Sequence, residues 1–209
     1  MPDWEKIFEE RGRVFTEPHS DIKRIAQILH DNGVKKVLDL GCGTGRHLIF
    51  LSRLGFEVWG FDESATALSL AKKWLNEEEY NAHVLQHKME EPFPYADEFF
   101  DAIISTQVIH HNLKSDILQT VSEIRRVLRT GGVLFVTFPI LSGVPLSGKD
   151  DWSLEQIEPG TYIPRCGPEA GVPHHYFEVE EIYEVFSNFD IMEIFIDDTK
   201  HRCVLGIKK

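Results

Sequence analysis

The sequence predicts an α/β fold in which strands and helices alternate along the chain. Three observations predict it. Residues 37–40 form a short apolar run, glycines follow at 41, 43 and 45, and an apolar helical stretch begins at residue 47. Apolar runs of strand length then alternate with helical periodicity as far as residue 138. The second predicted strand, at residues 55–61, ends at the acidic residue Asp62.

The glycine segment predicts a site for a nucleotide-like ligand. A strand, a glycine loop and a helix form such a site because residues without Cβ let a ligand lie against the backbone. Asp62, about 20 residues further on, is placed to accept hydrogen bonds from ribose hydroxyls. The glycine spacing is G-x-G-x-G, with Arg46 where the third glycine of a dinucleotide fingerprint would stand. The spacing therefore disfavours a dinucleotide.

With Asp39 two residues ahead of Gly41, this segment resembles motif I of the class I S-adenosylmethionine-dependent methyltransferases. The resemblance continues through Asp62, residues 99–105 and residues 127–134, in the family's order and spacing, and is greatest to the methyltransferase type 11 group. It implies a Rossmann-like seven-stranded sheet, mostly parallel, with helices on both faces and the last strand antiparallel. It also implies S-adenosyl-L-methionine as the cofactor.

Residues 1–35 are predicted to form two helices ahead of the first strand, because apolar residues recur at helical spacing on either side of a break at residues 17–21. Ser20 or Asp21 is placed to cap the second helix. In related methyltransferases such helices lie over the cofactor, which implies a lid that reaches the methyl acceptor. The alternative is simple packing or solvent exposure. The expected pocket residues here are Trp4, Arg11 and His19.

The resemblance also implies the cofactor-binding residues. A helix at residues 64–76 follows the second strand, and residues 82–86 form the third. The family usually has an acidic residue next, for the adenine amino group, but this chain has His87 or Lys88 there. Backbone groups near Lys88 and the Met89 side chain are expected to contact adenine instead. The expected cofactor-binding residues are Asp39, Gly41, Cys42, Gly43, Arg46, Asp62, Glu63, Lys88, Met89 and Gln107.

A fourth strand at residues 100–105 leads into a segment expected beside the reacting methyl group. Ligands in open α/β sheets bind beyond the carboxyl ends of the strands. His110 and His111 resemble a histidine pair that is frequent here in the family, and either one could act as a general base near neutral pH. The alternative is that a histidine only packs against or caps the next helix, at residues 116–128.

Residues 139–175 break the regular pattern and are rich in glycine and proline. So long a loop in a compact domain is typical of a functional insertion or of disorder. In the family, acceptor-recognition elements often follow the fifth strand, here residues 133–138. A helix at residues 180–186 and strands at 189–196 and 203–207 complete the chain. The insertion is expected to form the acceptor pocket with Tyr162, His174, His175 and Tyr176.

No metal site is predicted. The candidate ligands are the adjacent His174 and His175 and Cys166 in the insertion, and His201 after it. Neighbouring residues of a strand point to opposite faces, so the two histidines are not expected to share one ion.

Composition limits the class of partner. The chain has 209 residues and a net charge of −12, which fits one domain over residues 1–209 and disfavours nucleic acid as the main partner. No apolar run approaches the ~18 residues of a membrane span. The N-terminus lacks the features of a signal peptide, and the three cysteines are scattered, so a cytoplasmic location is expected.

The sequence analysis leaves several functions open. The first is a methyltransferase that acts on a small molecule by in-line displacement, with a protein or RNA acceptor as its variant. The second is a catalytically silent protein that binds S-adenosylmethionine or S-adenosylhomocysteine. The third is a nicotinamide-dependent oxidoreductase, which the glycine spacing and the later motifs disfavour.

Overall fold

The computed structural model describes residues 4–141, 153–167 and 169–209. Helices in these ranges are α1 (Trp4–Arg11), α2 (Ile22–Asp31), α3 (Arg46–Arg53), α4 (Ala65–Glu77), α5 (Lys114–Val127) and α6 (Val179–Val185). The strands are β1 (Lys36–Leu40), β2 (Glu57–Asp62), β3 (His83–Gln86), β4 (Phe100–Thr106), β5 (Leu128–Pro139), β6 (Leu154–Glu158), β7 (Thr161–Pro164), β8 (His174–His175), β9 (Phe189–Ile196) and β10 (His201–Lys208).

The main sheet has seven strands in the order β3-β2-β1-β4-β5-β10-β9. Strands β1 to β5 run parallel to one another, whereas β10 is antiparallel to both β5 and β9. The strand order reverses between β1 and β4, and a ligand of an open α/β sheet binds at such a switch point, beyond the carboxyl ends of the strands. The predicted fold class is therefore confirmed.

Two apolar clusters cover the two faces of the sheet. One joins α2, α3 and α4 to the sheet through residues such as Ile25, Leu48 and Leu68. The other joins α5 and α6 to the opposite face, with Ile124 and Ile182 among its members. Because both faces are covered, the central strands are buried along almost their whole length, which fixes the positions of the loops at their ends.

Three details differ from the sequence prediction. Strand β5 begins at Leu128, five residues early, because helix α5 passes straight into extended backbone there. Gly131 has φ of 72°, and the pairing of β5 with β4 is irregular around it and becomes regular from Val133. Asp21 occupies the residue before α2 but its side chain makes no capping hydrogen bond, and the Ser20 hydroxyl instead donates to Asp198 at 2.8 Å.

The insertion is more regular than its composition suggests. Strands β6, β7 and β8 form a separate three-stranded antiparallel sheet. The turn between β6 and β7 contains Gly160 with φ of 80°, a conformation that glycine adopts without strain. Residues 142–152 and 168 of the predicted insertion lie outside the described residues. Within the described ranges, no helix has the length and apolar character needed to cross a membrane.

Candidate functional site

The loop between β1 and α3 is folded tightly against β2. The backbone N–H groups of Gly41 and Cys42 both donate to the carbonyl of Phe61, at 2.9 and 3.0 Å. Gly41 has φ of 70°, and a Cβ there would lie 2.4 Å from a methyl carbon of Val108. Gly45, with φ of 95°, precedes α3. The positive φ values, and at Gly41 the close approach of Val108, therefore require glycine at these two positions.

Asp62, at the end of β2, bridges this loop to the start of α4. One carboxylate oxygen accepts from the Gly43 N–H and the other from the Ser64 N–H, both at 2.9 Å. Burial raises the pKa of Asp62 to about 6, although these two backbone hydrogen bonds act in the opposite direction. The carboxylate is thus aimed at the glycine loop, where the sequence predicts the ribose hydroxyls.

Asp39 lies behind the glycine loop, with 1% of its surface exposed. Its Oδ2 has no hydrogen-bond partner within the part of the chain that the structure describes. Its Oδ1 is 3.8 Å from Nδ1 of the buried His47. An unpartnered buried carboxylate oxygen is costly, about 1–3 kcal/mol, and such atoms usually receive a ligand, a water or an ion. Asp39 is therefore suited to a cationic group that approaches through the loop.

The protonation of His47 follows from its other contact. Its Nε2 accepts the backbone N–H of His19 at 3.1 Å, so the proton of the neutral ring is on Nδ1. That N–H faces Asp39 and the hydroxyl of Thr106, which is 3.5 Å away. Burial lowers the pKa of His47, although Asp39 raises it, which favours the neutral ring. His47 therefore presents a donor to Asp39.

A cavity of 1260 Å³ opens at the carboxyl end of the sheet. Binding sites for a single small ligand usually have about 300–1,000 Å³, so this cavity has room for two molecules of that class. Of the residues named from the sequence, its lining includes Trp4, Gly41, Cys42, Gly43, Arg46, Asp62, Glu63, Lys88, Met89, Gln107, His110, His111, His174 and Tyr176.

Four predicted acceptor-pocket residues do not line this cavity within the described ranges, which corrects the sequence expectation. Arg11 is exposed at the end of α1, and Tyr162 lies on β7. His19 is buried with its Nε2 2.8 Å from Asp197, and its Nδ1 accepts the Asp21 N–H.

The fourth residue, His175, is buried on the other face of β8 from His174. Its Nε2 is 3.1 Å from Glu181, outside the cavity. The alternation of side chains along a strand explains why only one of the two histidines reaches the cavity.

Helix α1 covers one side of the cavity. The Phe8 ring lies 3.7 Å from the position a Cβ of Gly43 would take, and the Trp4 ring packs edge-on to His111 with centroids 5.3 Å apart. Glu5 joins the helix to the start of α4, where its carboxylate accepts from the hydroxyl of Thr66 at 2.6 Å and from the Thr66 N–H at 3.2 Å. This arrangement suits the predicted lid.

The loop after β3 contains His87, which sequence reasoning named only as a departure from the family pattern. Its N–H donates to the Asp62 carbonyl at 3.0 Å, and its ring packs edge-on against Phe61 and Phe93. The buried Nε2 of His87 has no partner among the described residues, and His87 lines the cavity together with Met89. An imidazole and apolar surface thus take the place of the expected acid.

Gln107 and Arg46 make polar contacts at the C-terminal end of β4. Gln107 has φ of 62°, a strained value for a residue other than glycine, and its N–H donates to the Thr137 hydroxyl at 2.9 Å. Its side-chain nitrogen is 3.3 Å from Nδ1 of His201. Arg46 reaches the same strand end, where its guanidinium donates to the Thr106 hydroxyl at 3.4 Å. Both side chains line the cavity.

The two histidines expected as candidate bases are buried side by side. The ring centroids of His110 and His111 are 3.9 Å apart, and neither Nδ1 has a hydrogen-bond partner in the described ranges. Burial holds the pKa of His110 well below its ordinary value and lowers that of His111 to about 3. Both rings are therefore neutral near pH 7, and protonation of either one would place a positive charge on a ring that burial keeps neutral.

A glutamate that sequence reasoning missed lies beside them. Glu169 lines the cavity, and its Oε2 is 2.6 Å from Nε2 of His174. The His174 ring packs edge-on against His111, with centroids 4.6 Å apart, and stacks over Tyr176 at 6.2 Å. Glu169 follows Gly167 and Pro168 in the sequence, where no periodicity or motif marks a functional residue.

Two groups of side chains are close enough to suggest a metal ion, namely His110, His111 and His174, and His19, Asp197 and Cys203. Both ring nitrogens of His174 make hydrogen bonds, and so do both of His19. The absence of a metal remains a prediction.

Comparisons with known proteins agree with this geometry. A methyltransferase-domain family model matches residues 37–132. A ubiquinone biosynthesis O-methyltransferase of Mesorhizobium japonicum is 35% identical over 102 residues, covering 48% of this chain and 39% of the relative. A tRNA U34 carboxymethyltransferase of Hydrogenovibrio crunogenus is 31% identical over 186 residues, covering 80% of this chain and 55% of the relative.

The match to solved structures extends further along the chain. The PH0226 protein of Pyrococcus horikoshii OT3 has a TM-score of 0.73 at 21% identity, with 96% of this chain and 99% of that chain covered. At that identity the likeness shows the fold. The chain spans only 39% and 55% of the two curated relatives named above.

Proposed function

Since the chain belongs to the class I S-adenosylmethionine-dependent methyltransferases, we propose that it transfers a methyl group from S-adenosylmethionine to a small molecule held in the 1260 Å³ cavity. The observation that carries the proposal is the buried Oδ2 of Asp39, which has no hydrogen-bond partner among the described residues and lies behind the glycine loop that lines the cavity. Such an oxygen suits a ligand that carries an ammonium group, as the methionine part of this cofactor does.

The other residues of the cavity fit the remaining parts of the cofactor. Asp62 has two carboxylate oxygens at the loop for ribose hydroxyls. Gly43 lines the cavity without a Cβ, which lets its backbone approach the ligand. His87 and Met89 offer an imidazole nitrogen and apolar surface for adenine. A nicotinamide dinucleotide would need a third glycine where Arg46 stands.

The bound cofactor would supply an electrophilic methyl group on a sulfonium, so the protein needs mainly to align the acceptor and exclude water. Alignment of this kind is worth about 7–11 kcal/mol. Helix α1, with Trp4 and Phe8 over the cavity, is the part of the chain suited to excluding water. His110 and His111, the bases expected from the sequence, are better suited to lining the part of the cavity that holds the acceptor, because burial disfavours the positive charge that either ring would gain with a proton.

A small-molecule acceptor is favoured over RNA or protein by the charge of the chain and by the cavity. The net charge of −12 opposes binding to phosphate backbones. The acceptor chamber is lined by the rings of Trp4, His111, His174 and Tyr176, which suit a compact partner. The two curated relatives differ here, since one is named for ubiquinone biosynthesis and the other for tRNA.

The proposal is tested with cofactor that carries a labelled methyl group. The protein is incubated with a cell extract separated into metabolite, RNA and protein fractions, and the label is followed into each. We expect label in the metabolite fraction, and none when Asp62→Ala replaces the native protein. Label mainly in RNA or protein would overturn the acceptor class. Cofactor binding without label in any fraction would favour the catalytically silent alternative.

A further inference from the structure

Strand β8 holds two histidines that point to opposite faces, and each forms a pair with a glutamate. His174 is 2.6 Å from Glu169, and both line the cavity. His175 is 3.1 Å from Glu181, and neither lines the cavity. His174 and Glu169 are therefore an inner pair that faces the cavity. His175 and Glu181 are an outer pair that can serve as its control.

The inner pair is held firmly against the loop that follows β4. The backbone N–H of His175 donates to the carbonyl of His110 at 2.8 Å, which joins β8 to the histidines at the end of the sheet. His174 has 3% of its side chain exposed, whereas Glu169 has 21%. Glu169 is therefore the member of the pair that a molecule in the cavity can reach.

Hydrogen-bond roles fix the number of protons in this pair. Nδ1 of His174 lies 2.8 Å from the carbonyl oxygen of Val172, which can only accept, so Nδ1 carries a proton. Nε2 lies 2.6 Å from Oε2 of Glu169, and two atoms without a hydrogen would repel each other at this distance. A proton therefore lies between them. Both N–H groups of His174 are then engaged, and the pair offers the cavity only carboxylate oxygens.

The ionised state of Glu169 is consistent with this placement of the protons on His174. Burial alone would raise its pKa, but the hydrogen bond from His174 and the nearby histidines outweigh burial and bring the pKa below its ordinary value. The neighbouring His110 and His111 are neutral near pH 7. Glu169 is thus an ionised carboxylate paired with the doubly protonated ring of His174, and the rings of His110 and His111 beside this pair carry no charge.

We propose that Glu169, oriented by His174, receives the hydrogen bond and then the proton of the methyl acceptor, so that the acceptor is a hydroxyl or thiol compound. This inference rests on the proposed methyl transfer. The acceptor's O–H or S–H bond breaks and its proton passes to the Glu169 carboxylate. A new bond to the methyl carbon forms as the carbon–sulfur bond of the sulfonium breaks, and the electron pair of that bond stays on sulfur. The protonated Glu169 afterwards returns its proton to water.

The test uses phenol and benzoate, which share a ring but differ in that phenol donates a hydrogen bond and benzoate is an anion. Their affinities are measured by ligand-observed NMR titration of the full chain with S-adenosylhomocysteine present. We expect phenol to bind the native protein at least tenfold more tightly than benzoate, since a hydrogen bond to a charged group contributes a factor of about ten or more. Glu169→Gln is expected to reduce that preference to about twofold or less.

Glu181→Gln is the matched control, because it removes the same kind of carboxylate from the pair outside the cavity. It is expected to keep the preference for phenol. Equal effects of Glu169→Gln and Glu181→Gln would make both pairs purely structural and overturn the proposal. A native preference for benzoate, or no binding of either probe, would also overturn it. The affinity for S-adenosylhomocysteine separates the two proposals, because its absence in the native protein would refute the methyltransferase function itself.

Discussion

Replacement of His47 is expected to weaken binding of the amino-acid part of the cofactor and to leave binding of its adenosine part unchanged. In the native chain its Nδ1–H faces Asp39 at 3.8 Å, while its Nε2 accepts the N–H of His19. An asparagine at residue 47 keeps an amide donor near the position of Nδ1, and a glutamine keeps a polar group near Nε2 instead. His47→Gln should therefore leave the buried Asp39 carboxylate without its donor, whereas His47→Asn should preserve it.

The expected magnitude follows from the length of the contact. A hydrogen bond to a charged group contributes about 1.5–3 kcal/mol, and at 3.8 Å the interaction belongs at or below the lower limit, so a loss of about 1.4 kcal/mol, or tenfold in affinity, is expected. The loss should apply only to ligands with an ammonium group for Asp39 to bind. S-adenosylhomocysteine has one, and 5′-methylthioadenosine, which lacks the amino-acid part, does not.

Isothermal titration calorimetry with these two ligands makes the comparison. For His47→Gln, the Kd of S-adenosylhomocysteine should rise about tenfold while that of 5′-methylthioadenosine stays within about twofold. Asp39→Asn should reproduce this selective loss, and His47→Asn should not. An equal loss for both ligands would mean that His47 only supports the fold of the loop. Unchanged affinities in both His47 variants would refute its role in positioning Asp39.

Three further predictions concern the same end of the cavity. Gly41→Ala should raise the Kd of S-adenosylhomocysteine at least 100-fold by calorimetry. The alanine Cβ would lie 2.4 Å from Val108, on a backbone with φ of 70°. An affinity within threefold of that of the native protein would contradict this. The affinity should fall as the pH drops through about 6, since protonated Asp62 loses an acceptor, and Asp62→Asn should remove this dependence in titrations from pH 5 to 8. Glu5→Ala should raise the ligand's dissociation rate several-fold in stopped-flow measurements, since α1 loses its contact with Thr66; an unchanged rate would mean that α1 does not limit release.

The sequence was most informative where periodicity and glycine spacing constrain the backbone. The alternation of strands and helices and the glycine loop at Gly41 were predictable from the residues, because apolar faces and tight turns leave characteristic residues. The reversal of the last strand was implied only by the resemblance to the methyltransferase family. The placement of Asp62 at the end of β2 followed for the same reason. These features depend on neighbours in the sequence or on a motif of fixed spacing.

Features that depend on contacts distant in sequence were not predictable. Glu169 reaches the cavity only because residues 153–175 form a small sheet that packs against the end of β4. His19 was expected in the acceptor pocket but is turned towards Asp197, 178 residues away. The choice between His174 and His175 likewise depends on which face of β8 meets the cavity. No local sequence pattern indicates which distant residues come into contact.

The central claim is that the loop, Asp39 and Asp62 bind S-adenosylmethionine, and calorimetric titration of the purified chain tests it most directly. NAD serves as the competing ligand, and Asp190→Ala, an exposed carboxylate on β9, is the matched control for Asp62→Ala. The account predicts saturable binding of S-adenosylmethionine that Asp62→Ala weakens and Asp190→Ala does not, with no binding of NAD. Absence of S-adenosylmethionine binding to the folded native chain, or binding of NAD in its place, would contradict it.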